Sequence, residues 1–131
     1  MHPHLITAGC IAVLALLLTV LSLRITVLRL RYRISFGDGG HQDLLRALRA
    51  HGNTLEQTTL YGLLSIAYAE LPSADGKYLF ACSASFVLAR GVHAMAMFTR
   101  DLPLRQAAHA VSVLAQLGLA MGIGEVLWRT T

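Results

Sequence analysis

The sequence predicts an all-α membrane protein, a bundle of four membrane-crossing helices, and three observations predict it. Hydrophobic residues make up 55% of the 131-residue chain and charged residues only 14%, against about 25% in an ordinary soluble domain. The mean hydropathy is +0.57, which leaves ample apolar surface to bury and excludes a disordered chain. The apolar residues gather in four long runs that lack the alternation of a membrane-barrel strand, so closed β-structure is excluded as well.

The runs predict helices near 5–30, 43–71, 76–98 and 102–128. The first run, Leu5 to Leu23, holds 19 residues without a charge. At about 1.5 Å per residue it crosses the roughly 30 Å hydrocarbon core. No basic residue precedes it and no small-residue cleavage pattern breaks it before Arg24, so it is expected to be a retained span and not a cleavable leader. After the break Phe36-Gly37-Asp38-Gly39-Gly40, a second run from Thr54 to Leu71 carries Glu56 and Gln57 near its start and Glu70 near its end.

Leu71-Pro72-Ser73 separates it from the third run, Lys77 to Phe98, which is apolar except for Arg90 and His93. Asp101 is placed as an N-cap for the fourth helix, with Pro103 tolerated in its first turn. The fourth run, Gln106 to Trp128, holds His109, Gln116 and Glu125. Its Gly118 and Gly122 form a GxxxG pair that serves either close packing within the chain or a seam between subunits. Tyr78 and Trp128 fall where interfacial aromatics anchor spans. Cys10 and Cys82 lie inside apolar runs and are expected to pack as small residues, not to form a disulfide. No repeat or linker divides residues 1–131, so a single domain is expected.

The net charge of +4 raises the question of nucleic acid, but the cations sit in the gaps between apolar runs, so no nucleic-acid partner is expected. Arg24, Arg29, Arg31, Arg33, Arg46 and Arg49 belong to the first connection, and Arg100 and Arg105 to the third; the other side has only Lys77 and Arg129. Positive charge marks the cytoplasmic side of short loops. Loops one and three are therefore expected in the cytoplasm and both termini outside.

Charge inside a span costs a few kcal/mol and asks for a partner or a job. Arg49, Asn53 and Glu56 share one stripe of the second helix, Arg90, His93 and Met97 one stripe of the third, and Arg105, His109, Ser112 and Gln116 one stripe of the fourth. All three stripes meet at the same membrane face. Were they only neutralising one another, Glu56 would pair with Arg90 or Arg105. The arginines outnumber that single carboxylate, which points to an anionic ligand. No Cys/His cluster has metal-ligand spacing, and no metal is expected.

The stretch Arg49-Ala50-His51-Gly52-Asn53-Thr54-Leu55-Glu56, behind the basic helix end Arg29-Leu30-Arg31-Tyr32-Arg33, resembles the MAPEG family, the membrane-associated proteins in eicosanoid and glutathione metabolism. Arg90-Gly91-Val92-His93 and Leu102-Pro103-Leu104-Arg105 agree with it. The run Tyr32 to Gly40 is similar to the short bacterial inner-membrane branch. The resemblance covers nearly the whole chain and implies a homotrimer of four-helix subunits in the inner membrane, with glutathione bound near the cytoplasmic face.

It further implies that Arg29, Arg49, Asn53, Glu56, Arg90 and His93 hold glutathione and that Arg105 is the catalytic residue facing the sulfur. Glutathione's two carboxylates and one ammonium call for several guanidinium forks and a carboxylate such as Glu56. The implied activity is glutathione transfer to a lipophilic electrophile, or reduction of a lipid peroxide. The acceptor is expected to enter from the membrane lipid between helices one and four of neighbouring subunits, past Leu14, Leu17, Leu21 and Ile25. Where well-studied members carry hydroxyls, this chain has Met97, His109 and Gln57, so a non-catalytic scaffold of the same fold stays open. A small exporter of lipophilic cations would need a carboxylate deep in the first span, and Leu5 to Leu23 has none.

Overall fold

The structure, a computed structural model, describes residues 2–130. It contains α1 (Pro3–Tyr32), α2 (Gln42–Ala69), α3 (Gly76–Thr99) and α4 (Leu102–Thr130), with no strand among the described residues. Three of the helices, α1, α3 and α4, are long and apolar enough to cross a membrane. The remaining helix, α2, is the amphipathic one, because its first turns carry Arg46, Arg49, Asn53 and Glu56.

Local chemistry sets the helix ends. Arg33 closes α1 in the left-handed region (φ 54°), with the Ile34 amide donating to the Arg29 carbonyl at 3.1 Å. The loop beyond needs glycine, since Gly39 has φ 56° and a Cβ there would overlap Ile34 Cδ1. Tyr32 and His41 stack at 3.8 Å across that loop, and the Tyr32 hydroxyl donates to Asp43 at 2.6 Å. Asp75 caps α3 by accepting from the Lys77 amide at 2.8 Å. Asp101 caps α4 as expected, accepting from the Leu104 amide at 2.9 Å.

α2 and α3 pack on each other and each packs on both α1 and α4, whereas α1 and α4 do not touch. Cys10, Leu14, Tyr61, Tyr68, Leu79, Phe86 and Leu119 fill the core of one half. Leu21, Ala50, Ala94 and Met97, then Leu28, Leu44 and Ala47, fill the other. Leu14, Leu17, Leu21 and Ile25 do not line an outward acceptor path. Leu14 and Leu21 are buried and Leu17 and Ile25 half-buried, because this stripe is the one α1 turns toward its own neighbours. Leu16, Val20, Leu23 and Val27 face outward instead.

The GxxxG pair resolves as packing within the chain. A Cβ on Gly122 would lie 2.8 Å from Tyr78 Cε1 and 3.1 Å from Tyr68 Cε2, and the Tyr78 hydroxyl donates to the Gly118 carbonyl. Glycine lets the two tyrosine rings lie against the α4 backbone. The same pairing draws Tyr78 inward from a purely interfacial position. The ends of the bundle are thus unlike. His4 and Glu70 pair across one end at 3.8 Å, while the first and third connections share the other, basic end.

Candidate functional site: a polar groove at the basic end

Near the basic end, α2, α3 and α4 leave a cavity of about 500 Å³. Arg49, Gly52, Asn53 and Glu56 line it from α2, His93 and Met97 from α3, and Arg105, Gln106 and His109 from α4. The spacings of three and four along each helix put these side chains on single faces, and the bundle turns all three faces inward together. The volume lies in the usual range for a small-molecule site.

Behind the groove, Arg90 is fully buried. Its Nη2 donates to Asn53 Oδ1 at 2.8 Å and Thr54 Oγ1 at 3.2 Å, and its Nη1 reaches Ser112 Oγ at 3.5 Å. The same Nη2 lies 3.0 Å from His93 Nδ1. A guanidinium can only donate, so His93 Nδ1 accepts and the ring carries its proton on Nε2. Four neutral side chains thus surround a buried cation that has no carboxylate partner among the described residues, and its Nε is left without a hydrogen bond. Asn53 and His93 are thereby fixed in orientation from below.

The front of the groove is less satisfied. Arg49 and Glu56 are exposed, and Arg105 is half-buried with its Nη1 3.8 Å from Met97 Sδ. The ring of His109 lies 6.3 Å from that of His93, and its Nδ1 is buried without a partner. Among the described residues the ion pairs are His4–Glu70 and Arg129–Glu125, both at the other end. Glu56 therefore pairs with neither Arg90 nor Arg105, so the arrangement is not a self-neutralising network. It presents two guanidinium groups and one carboxylate, each open to a ligand.

Of the residues singled out in the sequence, Arg49, Asn53, Glu56, His93 and Arg105 meet in this groove and Arg90 stands directly behind it. Arg29 does not join them. Its Nη1 donates to the Ser35 carbonyl at 2.9 Å, and it lines a separate cavity with Arg33. The groove also takes in Gly52 and Gln106, which no stripe marked, and Met97, which lies on the polar stripe of the third helix. His109 stood in the polar stripe of the fourth helix without being chosen, although its spacing of four from Arg105 carried the signal.

The fold and groove define an integral membrane protein of four helices with a ligand-sized polar site, rich in arginine, at one end. The chain belongs to the MAPEG family, whose family model matches residues 7–124. No curated protein and no solved structure matches the chain. Membership gives it, in general terms, a glutathione-related role in a membrane.

Proposed function

We propose that the groove binds glutathione and that the protein is a glutathione transferase or peroxidase acting on lipophilic electrophiles. The observation that carries this reading is the meeting of Arg49, Glu56 and Arg105 on one cavity with no ion pair among them. The residues fit the ligand's charges. Arg49 and Arg105 supply donors for carboxylates, Glu56 receives an ammonium, and Asn53, held by Arg90, offers its amide. Bound glutathione would supply a thiol, which is nucleophilic as its thiolate. Arg105, in the first turn of α4 near the positive end of the helix dipole, holds fixed positive charge where that anion must be stabilised.

We place the basic end in the cytoplasm, the protein in a bacterial inner membrane, and three copies in a ring. The lack of contact between α1 and α4 supports this assembly, since both leave apolar faces uncovered: Leu16, Val20 and Leu23 on one, Val111, Leu114 and Leu117 on the other. A lipophilic acceptor enters between those faces of adjacent subunits. Arg29, absent from the groove of its own chain, joins that of a neighbour.

Isothermal titration of the full-length protein in detergent tests the reading. Glutathione binding should give heat that Arg105→Ala and Glu56→Ala greatly weaken. No heat with the unaltered protein overturns it. One observation favours a second reading, a binding scaffold without turnover: among the described residues no hydroxyl side chain lines the groove. Tight glutathione binding with no conjugation or peroxide reduction across a panel of electrophiles would establish that reading instead.

A further inference from the structure

A second, smaller cavity of about 240 Å³ adjoins the groove, between the first turns of α2 and the turn joining α3 to α4. Arg46, Arg49, Arg100 and Arg105 all line it. Arg49 and Arg105 face the groove as well, whereas Arg46 and Arg100 belong to this cavity alone. Its one carboxylate, Asp101, spends an oxygen on the α4 cap. Neither Arg46 nor Arg100 has a side-chain hydrogen bond or ion pair to any described residue.

Topology alone does not explain this. Positive charge that fixes the sidedness of a loop acts from anywhere in it, as Arg24, Arg31 and Arg33 can, and asks for no convergence. Four guanidinium groups around one small cavity repel one another, and the starts of α2 and α4 add the positive ends of two helix dipoles. An anion entering the cavity would relieve that repulsion. Guanidinium forks match the oxygens of a tetrahedral phosphate, and four of them exceed what a single carboxylate can engage. Leu45, Ala96, Met97 and Leu102 add apolar surface to the lining, and Leu102, half-exposed, opens α4 just ahead of its apolar run. A phosphate carrying an apolar body suits that wall better than a free ion, and basic pockets between membrane helices recognise lipid headgroups.

We propose that this cavity binds the phosphate of an anionic lipid headgroup, and that its occupancy weakens ligand binding in the adjoining groove by engaging Arg49 and Arg105. The phosphate site stands on its own, while the coupling rests on the glutathione reading. Two sites that draw on the same pair of arginines must disfavour each other equally in both directions.

The test uses the full-length protein in nanodiscs of phosphatidylcholine with and without phosphatidylglycerol, then native mass spectrometry after transfer to a zwitterionic detergent. The unaltered protein should retain phosphatidylglycerol over phosphatidylcholine. R46Q/R100Q should retain at least tenfold less, with an unchanged helical spectrum, and R46K/R100K should retain an intermediate amount. Equal retention of the two lipids, or retention unaffected in R46Q/R100Q, overturns the site. Displacement of the lipid by millimolar inorganic phosphate would support the phosphate chemistry and make free phosphate its source; resistance to displacement would support the lipid. For the coupling, glutathione should bind several-fold more weakly in discs that contain phosphatidylglycerol. Equal affinity in the two discs overturns the coupling. Absence of glutathione binding in both overturns the groove reading and leaves the phosphate site standing.

Discussion

At the level of Leu14, Leu79 and Leu119, the buried polar groups meet as neutral pairs: Tyr61 shares a hydrogen bond of 3.0 Å with Ser83 and stacks on Phe86 at 4.0 Å. Toward the basic end the same helices bury a guanidinium on four neutral partners and leave Glu56, Arg49 and Arg105 without internal counter-charge. One half closes its polarity within the fold and the other keeps it open. The closed half supplies stability, and the open half can supply binding. Changes in the two halves should therefore separate stability from affinity.

Arg90→Ala should have the largest effect, because Arg90 belongs to both. It leaves Asn53, Thr54, His93 and Ser112 without their donor, and relief of a buried charge offsets only part of that cost. A loss of about 3 kcal/mol is expected in thermal unfolding followed by circular dichroism in detergent, together with weaker glutathione binding. Gly122→Ala comes next. Its Cβ must displace Tyr78 or Tyr68, at about 2 kcal/mol. Gly118→Ala, whose nearest neighbour would be 3.4 Å away, should be nearly neutral in the same melt. Equal losses at the two glycines would break the account of the closed half.

Glu56→Gln should reverse the pattern, with an unchanged melting temperature and glutathione affinity about tenfold lower, the equivalent of about 1.4 kcal/mol. Tyr61→Phe keeps the stack on Phe86 and loses only the Ser83 bond, so about 1 kcal/mol of stability should go while affinity stays.

The smallest effect is expected at the junction of α1 and α2, ahead of the apolar run that begins at Thr54. The hydrogen bond from the Tyr32 hydroxyl holds the Asp43 carboxyl below its ordinary value, and the Leu44 amide adds to it. A lowered carboxyl favours the folded state above its ordinary pKa, and that contribution disappears as the pH falls through the lowered value. Tyr32→Phe should lower the melting temperature slightly at neutral pH, with the difference from the unaltered protein vanishing in acid below the ordinary carboxylate range.

The helices and the convergence of three polar stripes were legible in the sequence, because membrane spans and helical spacing are local patterns. Arg49, Asn53, Glu56, His93 and Arg105 reached one groove for that reason. The inward face of α1 was not legible: Leu14 and Leu21 look like Leu16 and Leu23 when every position is apolar, and only packing on α2 and α3 separates them. Gly118 and Gly122 were ambiguous for a related cause, since the tyrosines that fill them come from other helices. The second cavity depends on Arg46 and Arg100 being brought together from α2 and the α3–α4 turn, a long-range contact that no local spacing encodes.

The central claim is that the open half is a glutathione site. A density map of the full-length protein in nanodiscs with saturating glutathione tests it most directly. Density for the tripeptide is expected between α2, α3 and α4, within hydrogen-bond reach of Arg49, Glu56 and Arg105. An empty groove at saturating glutathione, or density for the tripeptide only elsewhere on the protein, would contradict it.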